Sequence, residues 1–125
     1  MIVLNSVFVL DSLAYATGEK RIIVQQNDDA APSDITGGTF IYSDLSAGNK
    51  VVYDNLIAMV GTKIVAVDIV DSAILVDSTI LVIRSHKPTT EEPNAPISIN
   101  YADLTAGEKV TFDAVITFGE ANLSA

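Results

Sequence analysis

Short apolar runs separated by polar turns dominate the chain, a pattern typical of a strand-rich fold. Residues 2–10 and 63–70 are rich in Val and Ile and stop at an Asp-Ser pair, so each is predicted to be a strand. A hairpin is predicted after each of them. The first has its turn at residues 17–19, between arms at 13–16 and 21–25, and the second has its turn at residues 77–78, between arms at 73–76 and 80–84.

A second alternating segment is predicted further along in each half of the chain. Phe40 and Tyr42 lie two residues apart between polar Thr39 and Ser43, and Ile97, Ile99 and Tyr101 alternate with polar residues. Alternation with a period of two is the pattern of a strand that buries one face only. Each of these segments is therefore predicted to be a half-buried strand.

Residues 47–60 and 106–118 fit either a helix or a strand, because residues 110–114 also alternate. The helix is preferred for two reasons. Thr105 followed by Glu108 is a capping box, worth on the order of 1 kcal/mol. Apolar residues also recur at the helical spacing in both segments, at Tyr53, Leu56, Ile57 and Val60, and at Phe112, Val115 and Ile116. Gly61 and Gly119 are predicted to be left-handed glycines that end these helices.

The two halves of the chain repeat each other. Residues 42–57 and 101–116 share nine of sixteen positions at a constant offset of 59, and residues 22–24 fall on residues 81–83 at the same offset. Unrelated segments of this length would share about one position, so the repeat predicts two copies of one structural unit. We place the copies at residues 1–60 and 61–119 of a single domain, 1–125, that ends in a short C-terminal tail.

These elements predict an α+β fold in which a strand-rich unit, closed by one helix, occurs twice about an internal pseudo-twofold axis. The alternative, if the helices are wrong, is an all-β sandwich or barrel. The predicted core combines matched sets from the two copies, packed on the strands around Val24 and Val82. These sets are Tyr53, Leu56 and Ile57, and Phe112, Val115 and Ile116.

Charge and composition exclude several classes of protein. The net charge is −9, and the seven basic residues are scattered, whereas a nucleic-acid binder needs clustered Lys and Arg. Asp68, Asp71 and Asp77 break the longest apolar region, so no membrane-spanning helix is predicted. The chain has no cysteine, which removes disulfides and thiolate chemistry.

Catalytic and metal-binding patterns are also missing from the sequence. His86, the only histidine, is predicted to lie in a loop beside Lys87 and Pro88, a poor setting for a general base. The acidic pairs at residues 28–29 and 91–92 lack the spacing of a calcium loop. We therefore predict no catalytic residue, no cofactor and no metal site, and a protein that is not an enzyme.

Two polar segments of matching position are predicted to be long loops, Gln26–Gly38 and Ser85–Pro96. Loops of this length in compact domains are usually functional or disordered. We expect them to contact partner proteins through screened, steering electrostatics. The candidate partner contacts are the acidic residues Asp28, Asp29, Glu91 and Glu92.

Residues 101–116 and their first-copy partner, about a quarter of the chain, resemble helix-opening stretches in small structural proteins of tailed bacteriophages. The resemblance implies a non-enzymatic structural or assembly subunit, such as a capsid decoration or tail protein, bound to other subunits in a homo- or hetero-oligomer. It implies the virion as the location, which the residues themselves leave open. The alternative is a β-rich recognition module that binds a ligand, glycan or protein through its long loops.

Overall fold

The computed structural model describes residues 1–11, 20–76, 79–90 and 92–123. Two helices alternate with two groups of three strands. The helices are α1 (Ala47–Gly61) and α2 (Ala106–Ala121), each preceded by a 3-10 turn, at Tyr42–Asp44 and Tyr101–Asp103. The strands are β1 (Ile2–Leu10), β2 (Arg21–Asp28), β3 (Ala31–Ile41), β4 (Ile69–Val76), β5 (Ile80–His86) and β6 (Ile97–Asn100).

All six strands belong to one antiparallel sheet in the order β3-β2-β1-β4-β5-β6. The two strands that open the halves of the chain, β1 and β4, pair at its centre, and Phe8 lies opposite Ile74. The predicted α+β class is confirmed. The strand interpretation of residues 47–60 and 106–118, and with it the all-β alternative, is wrong.

Local capping explains why both helices begin where they do. The Ser46 hydroxyl accepts a hydrogen bond from the Asn49 amide at 3.2 Å. Thr105 and Glu108 form the predicted capping box, in which each side chain bonds the backbone N–H of the other residue. Each arrangement satisfies backbone donors that a helix start leaves unpaired.

The core lies between the helices and one face of the sheet. Tyr53 and Leu56 of α1 are fully buried, as are Phe112 and Val115 of α2, which confirms four of the predicted core residues. Ile57 and Ile116 are half-buried and pack at the margin. The four central strands contribute fully buried side chains to the same core, namely Val7, Val9, Ile22, Val24, Ala73, Leu75, Leu81 and Ile83.

The strand around Val82 packs in the core as predicted, although Val82 itself does not face the helices. Leu81 and Ile83 point toward the helices, and Val82 between them points to the other face and is only half-buried. Successive side chains of a strand alternate between the faces of the sheet, so Leu81 and Ile83 share the core face and Val82 lies on the other.

Each helix packs on the central strand that opens the other half of the chain. α1 lies against β4, α2 lies against β1, and the helices also pack on each other. Lys63, just after α1, forms a 2.6 Å ion pair with Glu108 in the first turn of α2. The two halves therefore share one core.

The sequence predicted that Gly61 and Gly119 are left-handed glycines that end the helices, and this prediction is wrong. Gly61 is the last residue of α1, Gly119 lies inside α2, and neither has a positive φ. Gly119 is buried against β1, where a Cβ would stand 2.8 Å from Val7 Cγ2 and 3.1 Å from both Leu4 Cδ atoms. The residue is small because the helix and the strand approach closely there.

Several predicted boundaries also need correction. The strand predicted at residues 63–70 begins only at Ile69, because residues 62–68 form turns. Tyr42 and Tyr101 lie in the 3-10 turns rather than in strands. The two strands of the second predicted hairpin, at residues 73–84, are confirmed, and its turn at residues 77–78 lies outside the described residues. The arm of the first predicted hairpin, at residues 13–16, also lies outside them.

The segment Gln26–Gly38 is not a loop. It forms the end of β2, a two-residue turn and most of β3. In Ser85–Pro96, Ser85 and His86 end β5, and the described residues that follow form turns joined to the sheet by one bridge from His86 to Pro93. None of the helices in the described part of the chain is long and apolar enough to cross a membrane.

Candidate interaction surfaces

The acidic pair Asp28 and Asp29 lies at the tight turn between β2 and β3. Both carboxylates bond the Met1 amino group, at 3.1 and 3.0 Å, and Asp28 also accepts a 2.9 Å hydrogen bond from the Ala30 amide. The Ala30 bond and then the Met1 amino group hold the pKa of Asp28 below its ordinary value. Asp28 therefore shapes its own turn, while both side chains remain accessible to solvent.

The second acidic pair is not beside the first. Glu91 lies outside the described residues, and Glu92 is exposed, with its carbonyl accepting a 3.0 Å hydrogen bond from the Lys87 amide. Asp28 lies opposite Ile2 at the start of β1, whereas β5 reaches its last residues at the end of the sheet where β1 finishes. The two acidic turns are therefore at opposite ends of the sheet and form no common site.

The sequence predicted that His86 lies in a loop, but His86 is the last residue of β5. The Nδ1 atom of His86 is 2.6 Å from Oδ1 of Asp71. Both side chains are largely buried, with 14% of the His86 side chain and 13% of the Asp71 side chain exposed. Asp71 is the residue skipped in the pairing of β4 with β5, between Val70 and Ser72. The sequence carries no signal for this pair, because the contact depends on that irregularity of the strand.

A hydrogen-bond network beside His86 holds the connection from β5 to β6. The Asn94 amide nitrogen donates to Asp68 at 2.9 Å and to the Ser85 hydroxyl at 3.0 Å, and Lys87 donates to the Asn94 side-chain oxygen at 2.8 Å. Among the described residues, no serine bonds His86, and no three His, Cys, Asp or Glu side chains are arranged to hold a metal ion. The network fixes the connection, and it does not form a catalytic triad.

An apolar row crosses the centre of the sheet on the face away from the helices. Cross-strand pairing places Ile23 opposite Phe8, Phe8 opposite Ile74, and Ile74 opposite Val82. All four side chains are half-buried, and their sequence neighbours in the strands are the fully buried core residues. We call these four residues the outer row. Exposed Thr39 and Ser98 continue it to the two edges of the sheet.

The two edges of the sheet differ strongly. β6 has only four residues and follows directly after Pro96, whereas β3 has eleven. Residues 35–41 of β3 carry no charged side chain, and Ile35 is 49% exposed. Charge, proline and short length are the usual protections of an edge strand, and β6 has more of them than this part of β3.

Other large apolar side chains are exposed on the helix layer and on the connection between the halves. Val51 and Val110 occupy matching places in the two helices and are 55% and 69% exposed. Val65 and Val67, in the turns before β4, are 65% and 70% exposed. Single exposed apolar residues are ordinary, so these carry less weight than the contiguous outer row.

Comparisons of the chain with protein-family models, with curated proteins and with solved structures find no match.

Proposed function

We propose that this chain is a non-enzymatic structural subunit of a protein assembly, with the outer row as one of its docking surfaces. The observation that carries the proposal is the row itself, four half-buried apolar residues that lie opposite one another across four neighbouring strands, on the face away from the two helices of the described residues. Contiguous apolar surface on a folded protein usually marks a site of association. The occupant we assign to it is another protein subunit.

We further propose that the chain is a duplicated unit, with copies at 1–60 and 61–119. Local contacts at the predicted offset support this. The Tyr42 hydroxyl bonds Asp54 at 3.1 Å, and the Tyr101 hydroxyl bonds Asp113 at 3.0 Å. Each of these rings also meets a buried ring of the following helix edge-on, at 4.9 Å for Tyr53 and 5.0 Å for Phe112. A duplicated subunit offers its neighbours two similar but distinct surfaces.

The resemblance of residues 101–116 to phage structural proteins narrows the proposal to a virion component, such as a capsid decoration or tail protein. The alternative of a recognition module depended on two long loops. Gln26–Gly38 forms a hairpin instead, so one of those loops does not exist. The structural subunit is therefore the function we favour.

Light scattering on the purified chain at micromolar concentration tests the proposal, since a lone chain has a mass of 13.2 kDa. Ile74→Lys places a charge in the middle of the outer row, and Ser98→Lys places the same charge at its exposed end. We expect a mass above that of the monomer, lowered by Ile74→Lys and unchanged by Ser98→Lys, with circular dichroism confirming that both variants fold. A strict monomer that also has no protein partner in its native setting overturns the proposal.

A further inference from the structure

The outer edge of β3 has the properties of an interface between two copies of the chain. β3 is the terminal strand of the sheet, and among the described residues no strand lies beside its outer edge. An edge strand presents unpaired backbone donors and acceptors, and a long uncharged one is a template for another strand. Residues 35–41 form such an uncharged stretch, with small residues at the middle, namely Thr36, Gly37, Gly38 and Thr39.

We propose that β3 pairs antiparallel with β3 of a second copy, around a twofold axis that passes beside Gly38 and is perpendicular to the sheet. This inference rests on the proposed assembly function and names one of its contacts. The pairing joins two six-stranded sheets into one of twelve strands, with all four helices on the same face. It satisfies the edge groups of both copies, as strand addition does in other complexes.

The twofold restricts the register. Side chains of residues that lie directly opposite each other in a sheet point to the same face of that sheet. A β3 residue can therefore lie opposite only those β3 residues of the other copy whose side chains point to its own face. With Gly38 opposite itself, Ile35 of one copy faces Ile41 of the other, and Phe40 faces Thr36. Ile35 is an exposed apolar side chain, and Ile41 is half-buried. The small residues near the axis leave room for the two backbones to approach.

Charge favours the same register and a second copy as the occupant. Asp34 is the only charged residue of β3; it lies among residues 32–34, which the pairing with β2 skips, and in this register it comes near Tyr42, just past the end of the other copy's β3. Lys50 Nζ lies 5.6 Å from the centroid of the Tyr42 ring, and Lys20 Nζ, 5.7 Å from it, is paired with Asp11 of its own copy at 3.5 Å. Each copy therefore supplies an acidic group, Asp34, and a basic group, Lys50, to the other, and the interface is complementary to itself.

A matched pair of lysine variants tests the use of this edge. Thr39→Lys and Ser98→Lys place the same charge at the two ends of one cross-strand row, both at exposed positions. We expect Thr39→Lys to raise the dimer dissociation constant at least tenfold in sedimentation equilibrium, and Ser98→Lys to leave it unchanged. Equal dissociation constants for Thr39→Lys and the wild-type chain overturn the inference.

A charge exchange tests the register. Asp34→Lys alone and Lys50→Asp alone should each weaken the dimer, because each places like charges together across the interface. The double variant restores opposite charges and should recover most of the lost affinity. Two single losses that simply add in the double variant contradict the register proposed here.

A distance measurement identifies the joined edge without altering β3. The chain has no cysteine, so Ser98→Cys accepts a single spin label on β6. With strands about 4.8 Å apart, joining through β3 places the two labels about 50 Å apart, whereas joining through β6 brings them within about 20 Å. A short distance, or a chain that stays monomeric, overturns the inference. Self-association with a short distance leaves the proposed assembly function standing.

Discussion

Replacing Gly119 with alanine tests whether α2 and β1 really touch at this point. The added Cβ would lie 2.8 Å from Val7 Cγ2 and 3.1 Å from the Leu4 methyl carbons. Val7 is fully buried in a central strand, and a β-branched side chain has little freedom to rotate away. Leu4 lies nearer the rim and can move more easily. The strain should therefore fall mainly on the contact with Val7.

The magnitude follows from two opposed effects. Overpacking a well-filled core costs about 1–3 kcal/mol, and replacing glycine by alanine within a helix gains about 1 kcal/mol. The expected net result for Gly119→Ala is a loss of about 1 kcal/mol in the free energy of unfolding, or about 3–6 °C in melting temperature for a chain of this size. Gly119→Val should lose more.

Gly107 provides the control, since it lies in the same helix and a Cβ there would meet nothing within 4 Å. Gly107→Ala should gain up to about 1 kcal/mol from helix propensity alone. The two alanine variants should thus differ by about 2 kcal/mol in urea unfolding. If Gly119→Ala gains as much stability as Gly107→Ala, the close contact between the helix and the strand is not there and the reasoning is wrong.

Two further predictions concern the core and the helix ends. Phe112→Ala should lower the free energy of unfolding by about 3–5 kcal/mol in chemical denaturation. Tyr53→Ala should lower it by at least as much, because the Tyr53 hydroxyl also bonds the Leu10 carbonyl at 2.7 Å. Val110→Ala, on the exposed side of α2, should change it little. A large loss in only one of the two ring variants would argue against a duplicated core. The hydrogen bond from Lys63, and after it the one from the Thr105 amide, holds the pKa of Glu108 below its ordinary value of 4.5. The ionised Glu108 side chain therefore stabilises the folded protein fully above that pH, and this contribution is lost as the pH falls through the lowered pKa. Glu108→Gln should flatten the pH dependence of the melting temperature in this acid window, and a curve of unchanged shape would show that the ion pair contributes nothing.

Features with local causes could be predicted from the sequence. The helix starts follow from Ser46, Thr105 and Glu108, which bond backbone groups within three residues of themselves. The strand at Ile2–Leu10 follows from a run of apolar and β-branched residues bounded by a polar stop. Neither feature needs information from distant parts of the chain.

Features that depend on distant contacts could not be predicted. The run Leu81-Val82-Ile83 is apolar throughout, so its composition hides which residues face the helices. β3 is exposed along most of its length and needs no alternation, so its Gly, Pro and polar residues gave the pattern of a loop. The role of Gly119 depends on how close β1 lies, and the pairing of Asp71 with His86 depends on the irregular pairing of β4.

The packing of each helix on the first strand of the other half imposes an order on biosynthesis. A ribosome releases α1 before β4 exists, so the side chains of α1 that pack on β4 stay uncovered until the chain has been made as far as Val76. The side chains of β1 that pack on α2 are likewise uncovered until α2 has been made. Domains generally fold as units as they emerge, and the shared core of the two halves can form only after α2 has left the exit tunnel. The nascent first half is therefore the stage at which the chain most needs protection from aggregation.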